Sequence, residues 1–142
     1  MKLKKLIQGL FIKQTSNYNP TIPIKDITFN SKEATETSIF VCLSGSNTTG
    51  ENYIFEAVKN GAKVVITEHF VDYVSVCQIV VENTRVALSQ LSSNFFDNPE
   101  KSLKFVSVVG TNGKTSTSHI LFNILKTAKK SVGLIGTNGI LV

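Results

Sequence analysis

The chain has 142 residues, is 42% hydrophobic and 18% charged, and carries a formal net charge of +5. That balance excludes a disordered polymer and leaves room for one ordinary domain, or one small domain plus part of another. The lysines are dispersed, apart from Lys2, Lys4, Lys5 and the pair Lys129 and Lys130. This suits a small phosphate-bearing ligand and does not call for nucleic acid.

The N-terminal stretch MKLKKLIQGLFIK opens like a secretory leader but holds Gln8 and Gly9 and ends at Lys13 without a small-residue cleavage site. Leu3, Leu6, Ile7 and Leu10 fall at i, i+3, i+4 and i+7, which predicts an amphipathic helix. A proline-bearing loop (Pro20, Pro23) leads to DITFNSKEA, a short extended segment running into a turn. SIFVCL (38–43) predicts a strand, SGSNTTGEN (44–52) a polar loop, and YIFEAVKN (53–60) a helix stopped at Gly61. AKVVIT (62–67) and YVSVCQIVV (73–81) predict two more strands. The cysteines, Cys42 and Cys77, sit inside these apolar runs, which marks them as buried free thiols of a reducing compartment.

Asn83 or Thr84 is placed to cap a helix carrying Leu88, Leu91 and Phe95, stopped by DNP (97–99). Beyond it LKFVSVV (103–109) predicts a strand. TSTSHILFNILKTAKK predicts a helix with Leu121, Ile124, Leu125 and Ala128 on one face, its C-terminal end loaded with lysines that suit the helix dipole. VGLIG (132–136) predicts a last strand. Strands alternating with helices give an α/β fold with a mainly parallel sheet. The break at DNPEKS places a domain boundary there, with domains 1–98 and 99–142.

The strongest motif is VVGTNGKTST (108–117), between an apolar strand and an amphipathic helix, where a phosphate-binding loop belongs. Gly110 and Gly113 let the backbone approach phosphate oxygens, and Thr111, Asn112 and Ser116 complete a run of N–H groups at a helix start. Lys114 is placed to reach the β- and γ-phosphates, and Thr115 to put its hydroxyl on Mg²⁺. Val108 stands where the general G-x-x-x-x-G-K-[ST] pattern has its first glycine. His69 and His119 have no evident catalytic partner in the sequence and are taken as surface or helix residues.

GTNGKTS (110–116) resembles the ATP loop of the Mur ligases, G-T-[NK]-G-K-[TS]. Folylpolyglutamate synthases share the architecture but usually carry Ser after the lysine, where this chain has Thr115. TFNSKEATETSIFVCLSGSNTTGENYIFEAVKNGAKVVIT (28–67) resembles the opening domain of the ligase acting on UDP-N-acetylmuramoyl-L-alanyl-D-glutamate. That domain has a D-S-R turn, a strand ending in Gly, a D-G-H loop, a helix, and G-A before the next strand. VGLIGTNG (132–139) is similar to the G-x-I-G-T segment of the same enzyme, rather than of the neighbour that adds D-alanyl-D-alanine. Asn30 and Lys32 replace the Asp and Arg of D-S-R, and Thr49 and Glu51 the Asp and His of D-G-H.

The resemblance implies a small N-terminal α/β uridine-nucleotide-binding domain, then the start of a P-loop, mainly parallel-sheet ATPase domain. It implies Phe29, Ser31, Ser46, Asn47 and Thr48 as contacts to the UDP-sugar peptide. Gly110, Thr111, Asn112, Gly113, Lys114, Thr115 and Ser116 would hold ATP, with Lys114 catalytic and Thr115 on Mg²⁺. The implied reaction is phosphorylation of the D-glutamate γ-carboxylate by ATP. The amine of meso-diaminopimelate or L-lysine then attacks the acyl phosphate, giving amide, ADP and phosphate. The implied setting is a monomeric cytoplasmic enzyme of cell-wall synthesis, with no nucleic-acid partner and no membrane insertion. Such ligases run for several hundred residues, so the expectation is an N-terminal fragment that does not ligate alone. Another Mur ligase, an unrelated P-loop ATPase and a non-catalytic nucleotide-binding module stay open as alternatives.

Overall fold

Apolar runs without polar alternation are stable as strands covered on both faces, and the N-terminal part of the chain folds that way. The computed structural model describes residues 1–45 and 49–142. Among the described residues, β1 (Ile12–Ser16), β2 (Asp26–Thr28), β3 (Ser38–Val41), β4 (Val64–Thr67) and β5 (Cys77–Val81) form one sheet in the order β1-β5-β4-β3-β2. The β2–β3, β3–β4 and β4–β5 ladders are parallel, and β1 joins β5 antiparallel.

Successive side chains of each strand point to opposite faces. Ile39 and Val41, Val64 and Ile66, and Cys77, Ile79 and Val81 pack on one face with Leu3 and Leu6 of α1 (Leu3–Leu6) and Ala87 and Leu91 of α3 (Thr84–Phe95). Phe40, Cys42 and Val65 pack on the other with Ile54 and Ala57 of α2 (Ile54–Lys59). The result is a three-layer α/β arrangement. Gln78 is fully buried on β5. In the amide orientation that satisfies both its atoms, its nitrogen donates to Val71 O at 3.3 Å and its oxygen accepts from Val71 N at 3.0 Å.

The N-terminal helix is shorter than its apolar spacing predicts. α1 stops at Leu6, Gly9 turns the chain with φ +81, and the polar run IKQTS becomes the edge strand β1. Leu10 still packs against the same core, so the spacing marks a buried face but not a helix of that length. α3 starts as expected: the Asn83 side chain accepts from the N–H of Arg85 at 2.9 Å and of Val86 at 3.0 Å. Its end is followed by Asp97 and Asn98, both left-handed with φ of 58 and 57.

The chain divides into two compact units, Met1–Ser102 and Leu103–Val142. In the second, α4 (Lys114–Thr127) precedes a hairpin of β6 (Leu134–Gly136) and β7 (Gly139–Leu141), paired antiparallel. The parallel ladders of the α/β fold thus lie in the first unit. Residues 103–109, expected as a strand, form no ladder with any described residue, and Phe105 is 72% exposed. A β-rich run becomes a strand when a neighbour accepts its backbone groups, and this unit supplies none. Among the described residues no helix is long and apolar enough to cross a membrane.

Candidate functional site

In the first unit the turn after β2 is built from short-range polar contacts. Thr28 Oγ1 accepts from Asn30 N at 3.0 Å and donates to Asn30 O at 3.2 Å. The Asn30 side chain accepts from Lys32 N at 3.2 Å and donates to Glu33 Oε1 at 2.9 Å, starting a 3-10 turn at Ser31–Glu33. Asn30 thus caps the turn with its own side-chain oxygen. Phe29 is largely exposed, whereas Ser31 is only 6% exposed. The Ser31 hydroxyl donates to Glu56 Oε2 at 2.5 Å, and its carbonyl accepts from Asn60 Nδ2 at 2.9 Å.

Helix α2 is the common support of this region. It packs against the Ser31–Glu33 turn and against a second 3-10 turn, Gly50–Tyr53. Gly50 is tightly constrained: a Cβ there would lie 2.6 Å from the carbonyl carbon of Cys42. Ser46, Asn47 and Thr48, the other expected uridine contacts, lie outside the described residues. On one flank of that loop Arg85 Nη2 donates to Ser44 O at 2.9 Å. On the other, Glu51 Oε1 meets His69 Nδ1 at 3.2 Å, giving His69 a partner the sequence did not suggest. Both thiols are pushed up from their ordinary values, chiefly by burial, with the Glu51 carboxylate adding to the effect at Cys42. Both are free cysteines buried in the core.

In the second unit the loop Gly110–Gly113 turns straight into α4. Gly113 is the N-cap residue with φ 75 and ψ −2, and nothing lies within 4 Å of where its Cβ would stand. The first turn of α4 holds no acidic residue, so its positive end is uncompensated. Lys114 folds back over the loop, its Nζ donating to Gly110 O at 2.6 Å and Thr111 O at 3.1 Å. The amine thus sits over the backbone that would cradle an anion. An open cleft of about 380 Å³ is lined by Val109, Lys114, Thr115, Ser118, His119 and Asn138, among others. Thr111, Asn112 and Ser116 are exposed around it.

The sequence therefore placed Ser31 and the Lys114 loop on real turns but missed Glu56 and Asn60. These lie 25 and 29 residues from Ser31, on a helix whose register with the turn only the fold creates. Their local context carries no signal beyond an ordinary exposed helix face.

Comparison with known proteins adds a lineage to this geometry. Residues 23–96, inside the first unit, match the family described as Mur ligase family, catalytic domain. The chain is 40% identical over 137 residues to the UDP-N-acetylmuramoyl-L-alanyl-D-glutamate--2,6-diaminopimelate ligase of Alkaliphilus oremlandii, covering 96% of this chain and 28% of that protein. It is 36% identical over 138 residues to the ligase of the same name from Caldanaerobacter subterraneus subsp. tengcongensis, with the same coverage. Among solved structures it is similar to the D-alanyl-D-alanyl-adding ligase of Acinetobacter baumannii, with TM-score 0.63, 30% identity, and coverage of 88% of this chain and 27% of that one. It is also similar to the MurF ligase of Thermotoga maritima in complex with ADP, with TM-score 0.53, 32% identity, and coverage of 72% and 23%. The chain spans about 28% of the length of the curated relatives it matches.

Proposed function

The chain belongs to the Mur ligase family, and from that premise we propose that it supplies the nucleotide-handling front of an ATP-dependent ligase of peptidoglycan synthesis. The reaction is addition of a diamino acid to UDP-N-acetylmuramoyl-L-alanyl-D-glutamate, with ATP and Mg²⁺, in the cytoplasm. The first unit takes the uridine end of that substrate through Phe29, Ser31 and the 44–52 loop. The second takes the ATP phosphates on Gly110, Thr111, Asn112, Gly113, Lys114, Thr115 and Ser116. The relatives that carry the diaminopimelate name, at 36–40% identity, support this reading over the D-alanyl-D-alanine-adding one, whose solved structures stand at 30–32%.

The observation that carries the ATP assignment is the Gly113–Lys114 junction. A left-handed glycine delivers the chain into a helix whose first N–H groups are free of acidic competition, and the next side chain is an ammonium already held over the loop. Lys114 exchanges two carbonyl partners for phosphate oxygens, which are stronger acceptors for a cation. The Thr115 hydroxyl would offer one oxygen ligand to a Mg²⁺ bound with the phosphates. No cluster of three His, Cys, Asp or Glu capable of holding a metal unaided occurs among the described residues. Such a phosphate-bound ion would supply neutralisation of phosphate charge during phosphoryl transfer.

The test is calorimetry of the chain with UDP. Saturable binding weakened by Ser31→Ala supports the uridine assignment. Unchanged affinity in that variant removes Ser31 from the site.

A further inference from the structure

The hydroxyl of Ser31 is not a free donor. A serine hydroxyl has one proton and two lone pairs. At Ser31 the proton goes to Glu56 Oε2, and the backbone carbonyl of the same residue is held by Asn60 Nδ2. Both partners stand on α2 or at its end, and the turn packs against that helix, so the pairing is fixed by the fold rather than by a mobile surface contact. What remains for a ligand is a lone pair backed by a carboxylate. A phosphate oxygen, itself an anionic acceptor, finds no donor and an opposing charge there. A ligand N–H or O–H finds an acceptor.

Resting on the reading that the first unit binds the uridine diphosphate end, we infer that Glu56 is a positioning residue that makes Ser31 an acceptor for a donor on the nucleoside. The uracil imide N–H and the ribose hydroxyls are the donors a uridine offers. The diphosphate is then held by other groups of the site, and Ser31 reads the nucleoside.

The experiment uses the full 142-residue chain and two probes, uridine and UDP, in NMR-detected titrations with melting curves alongside. Glu56→Ala should weaken uridine and UDP by the same factor, about fivefold, the worth of one net hydrogen bond. Glu56→Gln should stay within about twofold of wild type, because the glutamine carbonyl still accepts the serine proton. In a Ser31→Ala background, Glu56→Ala should have no further effect, since the two residues act as one unit. Tighter UDP binding by Glu56→Ala with uridine unchanged would overturn the inference and send the Ser31 proton to the diphosphate. Equal losses with and without Ser31 would overturn it too, because Glu56 would then act elsewhere. Wild type that binds UDP while Glu56→Ala changes nothing sinks this inference and leaves the uridine reading intact. Wild type that binds neither probe sinks both.

Discussion

The two units use their apolar side chains in opposite ways. In Met1–Ser102 the strands are covered on both faces, and Leu3, Leu6, Ile39, Val64, Ile66, Ile79 and Leu91 are fully buried. In Leu103–Val142 Phe122 is the one buried hydrophobic among the described residues, while Val109 and Ile135 are 91% and 82% exposed. The lesson concerns what each site needs in order to exist. The Ser31–Glu56–Asn60 contacts require a packed core, because they join residues distant in sequence. The Gly110–Lys114 turn rests on contiguous geometry: a left-handed Gly113 caps the helix, and the Lys114 side chain folds back on Gly110 and Thr111.

The largest expected effect that would sharpen this contrast is in the first core. Leu91→Ala should lower the unfolding free energy of the first unit by roughly 2–5 kcal/mol, the usual result of emptying a fully buried leucine site. Phe122→Ala should leave the melting of that unit unchanged. Urea titrations of both variants check it, and equal shifts would dissolve the distinction between the units.

Next in size is the α3 cap. Asn83 satisfies two N–H groups that otherwise have no helical partner. Asn83→Ala should cost about 1 kcal/mol in the same titration. A neutral substitution would show that α3 is held by its buried face alone.

The smallest effect is electrostatic. The backbone N–H of Thr84 holds the Glu68 carboxyl below its ordinary value of 4.5, and the Thr84 hydroxyl adds to the effect; both bonds are 2.9 Å. A carboxyl depressed in the folded state contributes stability above its unfolded-state value and loses it as the pH falls through the folded one. Stability of wild type should therefore fall below about pH 4.5 more steeply than that of Glu68→Gln. Glu68 is part-buried rather than enclosed, so the difference is small, and parallel acid-denaturation curves would remove Glu68 from the account.

What was legible in the sequence follows the same division. SIFVCL, AKVVIT and the CQIVV end of the third run could be read as strands because burial on two faces writes itself as continuous apolar residues. The left-handed stop at Gly61, with φ +119, and the Asn83 cap were legible because turn and cap chemistry is local. β1 was not: an edge strand of IKQTS, exposed at its centre, has no apolar pattern to show. The strand expected at 103–109 was over-read, since β-branched side chains announce a preference and not a partner. The loop-to-helix turn at Gly113–Lys114 was legible because its geometry is contiguous. Glu56 and Asn60 were not, because only the packing of α2 on the turn brings them to Ser31.

The central claim is that Lys114 serves phosphoryl transfer and not the fold. It is tested by replacing the matching front of the Alkaliphilus oremlandii ligase with this chain, which spans 28% of that protein, and comparing turnover with melting temperature for the chimera and its Lys114→Ala variant. Alanine is well tolerated in a first helical turn, so melting should not change. Loss of a preorganised charge at the transferring phosphate should cost about 3 kcal/mol, or roughly a hundredfold in turnover. Turnover that survives within a few-fold, or that falls together with the melting temperature, would contradict the account.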